Sequence, residues 1–562
     1  MRRKSYTRFA VLLISILLIN YIASFYFFRL DLTSDKRYTL MEKTVEILES
    51  REDVVYITVY LDGDMPVGFQ RMRKAIRETL DEFKVYAGKN LQYKFENLSD
   101  IEDAQKRNAV YEDLFERGLQ PTNVKESDSE GGSSEKVLFP GATIAYQGNE
   151  VAVNFLRNNP GFSAAVNLNN SIQSIEYELI NGIFRLTIKE PEKIAFIEGH
   201  GELDEFETGD ITRELSAYYR IDRVNPKGHV GILDDYAAVI VAGPKNPWPE
   251  KDKFVLDQYL MQGGHVLWFI DEITVNRDSL SRGSETFGFV TDHNLNDMLF
   301  RYGVRINPNI IRDMNCALIP VNNAMPGQQA RFVPTPWTYY PLLIPPQNSL
   351  ITKDLNMIKS EFPSNIDRVG DNPDVKGEVI LQGSEYTNLL QAPVWVSLKQ
   401  VREPIDPGIY RTAFPPIAIL LEGDFESVFK NRMINQYLKT SQHQFRAKSD
   451  PAKMLVVGDA DIIRNETRER GDGTFVIPLG YDRYTGQQYG NKDFVMNAVH
   501  AFTNLSDILQ IRSREVKLRL LDKTKIKGKS LKWQLINIVL PVGIILIIGG
   551  IVVLVRRRKY SR

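Results

Sequence analysis

The chain has 562 residues, with 70 Lys plus Arg against 71 Asp plus Glu and a single cysteine, Cys316. Near-neutral charge gives no sign of the concentrated basic face that nucleic acid demands. One thiol excludes an internal disulfide and any zinc site built from four cysteines or from a pair of cysteines with a pair of histidines. The length exceeds what one core serves, so two to four domains are expected.

The first predicted element is an apolar, charge-free stretch from Phe9 to Phe28, and a second runs from Leu535 to Val555. A helix of about 20 residues at 1.5 Å rise crosses a hydrocarbon core of roughly 30 Å, and both stretches reach that length. The first is longer than the apolar core of a cleaved signal peptide. Tyr26, Phe27, Phe28 and Arg29 also offer no small-residue cleavage site, so a retained anchor is expected. Arg2, Arg3, Lys4 and Arg8 before the first span and Arg556, Arg557, Arg558, Lys559 and Arg562 after the second place both tips in the cytoplasm. Lys523, Lys525, Lys527, Lys529 and Lys532 oppose that orientation for the second span alone, but the first span usually dominates. The expected layout is a cytoplasmic tip (1–8), a span (9–28), a body outside the cytoplasm, a membrane-proximal stalk (506–534), a second span (535–555) and a cytoplasmic tail (556–562).

Within the body, Tyr38 to Ser50 reads as a helix opened by a capping pair, Thr39 with Glu42. Val54 to Leu61 is a buried strand. Pro66 to Tyr86 is a helix with Met72, Ile76, Leu80 and Phe83 on one face. A strand follows at Leu91 to Leu98, then a helix at Ile101 to Gly118 and a polar loop tip at Lys125 to Lys136. Two short strands, Ala142 to Tyr146 and Glu150 to Phe155, and a helix from Ser171 to Thr187 complete a small α/β domain over 30–190, thioredoxin-like in outline.

A second domain is expected over 191–505. Lys193 to Glu198, Arg220 to Val224, Tyr236 to Ala242, His265 to Ile270 and Met454 to Val457 read as strands. They alternate with helices at Asp210 to Tyr219, Lys251 to Gln262 and Lys492 to Leu505, the pattern of a doubly wound parallel sheet. The alternation lapses over 279–450, a proline-rich segment of short strands read as an insertion.

Ligands of doubly wound sheets bind beyond the carboxyl ends of the strands. Those ends carry Glu198, His200 and Glu202, then Lys245, Asp271 with Glu272, and Asp459 with Asp461. A histidine among carboxylates suits acid–base work or a divalent metal. The competing reading makes Gly199 and Gly201 a tight turn and the acids caps, and the absence of H-x-x-x-H spacing favours it. No metal or cofactor is expected. No G-x-S-x-G elbow, G-x-x-x-x-G-K-[ST] or G-x-G-x-x-G occurs, so nucleophilic catalysis and nucleotide binding by either loop are not expected. Cys316 reads as a structural thiol. The run from Pro334 to Pro341 around Trp337 reads as packing, with a peptide- or glycan-binding surface as the alternative. Lys523 to Lys532 suit anionic headgroups or a partner at the membrane surface, and Gly543, Gly549 and Gly550 offer a close-packing face for a partner helix.

The residues F-I-E-G-H-G-E at 196–202, V-A-G-P-K-N-P-W-P-E at 241–250, L-D-Q-Y-L-M-Q-G-G at 256–264, G-D-A-D at 458–461 and N-K-D-F-V-M-N-A at 491–498, with the two anchors, resemble the gliding-motility auxiliary ABC-transporter component GldG. The resemblance covers nearly the whole chain. It implies a two-pass protein of the bacterial inner membrane with a periplasmic body, working as a non-enzymatic substrate- or partner-binding subunit beside a separate permease and ATPase. It also implies a central sheet similar to class I glutamine amidotransferases, with the catalytic cysteine and its Cys–His pairing missing here. A periplasmic metal-dependent hydrolase and a structural scaffold are the alternatives.

Overall fold

A computed structural model describes residues 11–15, 39–511 and 530–560, apart from 128–132, 158–162, 403–405, most of 323–330 and 435–442, and the single positions 354, 371, 472, 507, 508 and 510. Of the first predicted span, only residues 11–15 are described, and they are helical and exposed; the rest lies outside the described residues, as do Lys523, Lys525, Lys527 and Lys529.

The first domain follows the expected order with corrections at its turns. Its elements are α1 (Glu42–Glu49), β1 (Val55–Val59), α2 (Val67–Ala87), β2 (Leu91–Phe95), α3 (Ala104–Glu116), β3 (Thr122–Ser127), β4 (Ser133–Leu138), β5 (Gly141–Tyr146), β6 (Asn149–Asn154), α4 (Ala164–Gln173) and α5 (Ile175–Thr187). A four-stranded sheet runs β2-β1-β5-β6, parallel in its first pair and antiparallel in the other two. Met72, Ile76, Leu80 and Phe83 are buried on the predicted face of α2. Lys125 to Lys136 is not simply a loop tip: its flanks pair as the hairpin β3–β4, whose backbone groups satisfy one another. The expected single helix over 171–187 is two, broken at Ser174. The N-cap position of α1 is Met41 and not Thr39. Helix α1 is capped from α5, where Glu176 Oε1 accepts from the Met41 N–H at 2.8 Å and from Thr44 Oγ1 at 2.9 Å.

The second domain is built on β7 (Lys193–Ile197), α6 (Gly209–Leu215), β8 (Arg220–Val224), β9 (Tyr236–Ala242), α7 (Glu250–Met261) and β10 (His265–Phe269). The chain then leaves the sheet, contributing α8 (Asn296–Tyr302), β11 (Asn309–Asp313), β12 (Phe332–Leu343), β13 (Val375–Gln382), β14 (Thr387–Gln391) and β15 (Pro416–Gly423) among smaller pieces, and returns with β16 (Ala452–Val457) and α9 (Asn491–Ala501). The sheet order is β13-β15-β16-β10-β9-β7-β8. The five strands from β8 to β16 are parallel and the two at the other edge antiparallel.

The predicted insertion therefore gives two of its strands to the main sheet. Its remainder forms small sheets around a separate core of Ile273, Ile310, Trp337, Tyr339, Phe362, Val394 and Val396. The main strands read as unbroken apolar runs because both faces are covered. Ile194, Phe196, Ile240, Leu267 and Leu455 pack on the side of α6 and α9. Ala195, Val239, Val241, Trp268 and Val456 pack on the side of α7 and α8.

The two domains share the first of these cores. Asn181 of α5 exchanges hydrogen bonds with the Tyr218 hydroxyl at 2.8 and 3.1 Å, and the Arg185 guanidinium lies 5.4 Å from the same ring. Described by itself, α10 (Ser530–Tyr560) holds a 28-residue apolar segment, Lys532–Lys559, of mean hydropathy 3.1 in its most apolar window. It contains Pro541, Gly543, Gly549 and Gly550 and is long enough to cross a membrane.

Because α1 borrows its cap, Glu176→Ala should lower the stability of the body by about 1 kcal/mol while Glu176→Gln keeps most of it. Urea unfolding followed by tryptophan fluorescence measures this, and an unchanged midpoint for the alanine variant would show that α1 is capped by other means.

Candidate functional site

Strand β7 runs into Glu198 and then the turn Gly199-His200-Gly201-Glu202. Both glycines are left-handed, with φ of 117° and 78°. A Cβ at Gly199 would lie 2.4 Å from Asn225 Nδ2, and one at Gly201 2.8 Å from Asn246 Nδ2. The turn aims the His200 carbonyl at the start of the loop after β9, where it accepts from the Lys245 and Asn246 N–H groups at 3.0 and 2.8 Å. β8 and β9 flank β7 on opposite sides, so this is the point where the strand order reverses and where a doubly wound sheet normally opens a crevice. Here the turn closes it.

The His200 ring is 3% exposed and stacks on Trp248 at a centroid distance of 4.0 Å. Nδ1 lies 2.9 Å from Glu202 Oε1 and Nε2 2.9 Å from Asp252 Oδ2, while the His200 backbone N–H donates to Glu202 Oε2 at 2.7 Å. Burial pulls the imidazole pKa down, but the hydrogen bonds and charges of Asp252 and Glu202 outweigh it and raise the value to about 9. At neutral pH both ring nitrogens are thus donors, leaving no lone pair for a metal or a proton. Glu198 stands apart, paired with Arg223 Nη1 at 2.9 Å.

The acids of the next strand ends do converge. Asp271 follows β10, Asp459 and Asp461 follow β16, and oxygens of all three lie within 4.8 Å of one another. Asp271 and Asp461 line a cavity of about 450 Å³ whose wall also includes Gly243, Lys245 and Arg464 from the sheet side, Arg277 just ahead of the insertion and Glu361 within it. Most of the carboxylate oxygens are engaged. Asp459 Oδ1 accepts from the Asp461 N–H at 2.7 Å, and its Oδ2 accepts from Ser360 Oγ and from the Glu361 N–H at 2.9 Å. Asp461 pairs with Arg277 through Oδ2 and with Arg464 through Oδ1 at 2.7 Å. Asp271 Oδ1 accepts from the Ala460 N–H at 2.7 Å. Glu361 pairs with Arg277 at 2.9 Å and Lys359 at 3.0 Å.

Burial and then the neighbouring Asp271 push Asp459 up to about 7 against its three hydrogen bonds. Burial also raises Asp271 and Asp461, although Arg277 opposes both shifts. Glu361 goes the other way, because Arg277 and Lys359 outweigh its burial.

The six candidate residues thus fall into three groups: Glu198 with Arg223, His200 with Glu202, and the three aspartates. The histidine does not join the three aspartates. Sequence reasoning missed Asp252, Trp248, Arg277, Ser360, Glu361 and Arg464, which complete these groups from elsewhere in the chain. Only Trp248 carried a signal, in the W-P-E that opens α7. Cys316 is half-buried in a strand, and burial raises its thiol to about 11, which suits a structural role and not a nucleophile. Trp337 is 2% exposed and packs as expected.

Residues 191–498, the doubly wound domain with its insertion, match the family described as an ABC-type uncharacterized transport system. Residues 34–145 match a family described as a domain of unknown function. An uncharacterized protein of Borreliella burgdorferi is 21% identical over 560 residues, covering 95% of this chain and 94% of its own. Among solved structures, the mmIFT52 N-terminal domain aligns with 55% of this chain and 96% of its own at 15% identity and a TM-score of 0.30. A putative ThuA-like protein from Parabacteroides merdae aligns with 59% and 94% at 11% identity and 0.26. Scores of this size establish no shared fold.

Two outcomes follow from the geometry. The folded pKa of His200 exceeds its unfolded value of 6.5, so the stability it contributes is complete below about pH 6.5 and disappears as pH rises through about 9. The gap in melting temperature between the native protein and His200→Gln should therefore close between those limits, and a constant gap would contradict an imidazolium. Since arginines and backbone N–H groups already hold Asp459 and Asp461, about 1 mM Mg²⁺, Ca²⁺ or Zn²⁺ should leave the melting temperature of the body unchanged. A rise of several degrees would mark a cation site.

Proposed function

The chain belongs to the ABC-type uncharacterized transport system family, and from that membership we propose that it is a membrane-anchored, non-enzymatic accessory subunit serving a separate permease and ATPase. The carrying observation is the family match over the doubly wound domain. An accessory role in ABC transport follows from the family itself. The division of labour is our reading: neither nucleotide-binding loop occurs in the sequence, so ATP hydrolysis falls to another subunit. The apolar helix α10 is consistent with membrane association.

The finer reading keeps the two-pass layout, with the second anchor at α10 and the first at residues 9–28. The body lies in the periplasm of a bacterial inner membrane, and the work is linked to gliding motility as the GldG resemblance implies. The order β8-β7-β9-β10-β16 of the parallel strands is compatible with the amidotransferase-like sheet that the same resemblance implies. The non-enzymatic reading is supported by the protonated, doubly bonded His200, by the engaged aspartates and by a thiol raised to about 11.

Extraction of the tagged chain in mild detergent should recover a permease and an ATPase in fixed ratio. Recovery of the chain without either would sink the proposal. Gly549→Leu with Gly550→Leu should reduce permease recovery from membranes holding equal amounts of protein, because helices in lipid associate through close packing of small residues. Undiminished recovery would move the contact to the first span or to the stalk around Lys523 to Lys532.

A further inference from the structure

The cavity of about 450 Å³ at the carboxyl edge of the main sheet is lined by seven charged residues, and five of them are occupied. Arg277 bridges Asp461 and Glu361, and Arg464 gives Asp461 a second cation. Glu207 Oε2 accepts from the Asp204 N–H at 3.2 Å and so closes its own turn. Lys245 and Asp271 are the exceptions. Lys245 follows β9 and is exposed, and its Nζ makes no ion pair or hydrogen bond among the described residues. Asp271 follows β10 and is partly exposed. Its Oδ1 accepts from the Ala460 N–H at 2.7 Å, while Oδ2 has no partner among the described residues. Since β9 and β10 are neighbours in the sheet, the two residues stand on strand ends about 4.8 Å apart. The Lys245 charge reaches Asp271, where it opposes the rise that burial imposes, yet the two side chains do not pair.

Opposite charges that face one cavity without closing on each other set the charge pattern of a ligand. An anion alone would meet Asp271 and the other acids of the wall, and a cation alone would meet Lys245. A zwitterion satisfies both, with charge-assisted hydrogen bonds at each end. The Thr274 and Thr291 hydroxyls lie 2.7 Å apart on the same wall. One hydrogen is spent between them and the other remains to donate. Ligand cavities run from roughly 300 to 1,000 Å³, and this one, near the lower end, matches an amino acid or dipeptide. We infer that the cavity binds a small zwitterion carrying a primary ammonium and a carboxylate, a free α-amino acid or a dipeptide, with its carboxylate at Lys245 and its ammonium at Asp271 Oδ2. This binding goes beyond the accessory role and does not rest on it.

The full chain in detergent should be titrated calorimetrically with L-alanine and L-alanyl-L-alanine. N-acetyl-L-alanine, which lacks the ammonium, and L-alaninamide, which lacks the carboxylate, serve as the singly charged probes. At least one zwitterion should saturate, about ten-fold or more tighter than either singly charged probe. Lys245→Gln, at an exposed position, should weaken that zwitterion by about ten-fold or more with an unchanged melting temperature. Asp271→Asn keeps an acceptor for the Ala460 N–H, removes the negative charge and should cause a similar loss. Should the second variant fail to fold, the first decides. The inference is overturned if neither zwitterion saturates, if a singly charged probe binds as tightly, or if either folded variant binds as the native chain does.

Discussion

The body is organised around the burial of carboxylates at the carboxyl edge of its main sheet. Asp271, Asp459 and Asp461 arrive there from two strand ends with oxygens within 4.8 Å. At an effective dielectric near 20, a pair of unit charges that close repels by about 3–4 kcal/mol. A domain stable by only about 5–15 kcal/mol does not carry three such pairs uncompensated. Compensation comes from both sides: Arg277, just ahead of the insertion, and Arg464, just after β16, on Asp461, and from within the insertion Ser360 with the Glu361 backbone on Asp459. The Ser364 N–H, donating to the Gly458 carbonyl at 2.8 Å, ties the same segment to the same turn. The insertion is therefore part of what makes the sheet edge tolerable, which agrees with its two strands completing the sheet.

The parallel strands were legible because burial on both faces leaves an uninterrupted apolar run, as in Y-A-A-V-I-V-A at β9 and M-L-V-V in β16. The helices of the first domain were legible for the complementary reason, a 3.6-residue stripe such as that of α2. What failed to show was anything decided by a partner distant in sequence. Glu176, 135 residues on, accepts from the Met41 N–H at the start of α1, where local reading looked to the nearby Thr39 and Glu42. Pro416–Gly423 has the composition of a buried strand, but its lodging in the main sheet depends on β16 beside it. At the site, the glycines at 199 and 201 announced a turn and the positive φ values agree. That His200 would turn from the aspartates to Asp252, 52 residues on, is written in no local pattern.

One sheet position is consequently spent on structure. The reversal of strand order between β7 and β9, where a doubly wound fold commonly admits a ligand, is closed by an imidazolium locked between two acids and laid on Trp248. A site filled in this way is rigid and poor at exchange, since opening it strands a buried cation from both its counter-charges. The surfaces that the insertion helps to build include the mixed-charge cavity beside Asp271 and Asp461. The parallel sheet then serves as a stiff platform for the segment that interrupts its alternation. For a subunit of a transport complex this arrangement has a mechanical consequence. The core that surrounds Trp337 continues through Phe362 and Glu361 to Arg277 and the acids of the sheet edge. The packing of the insertion and the electrostatic balance of the sheet thus share one contiguous set of contacts.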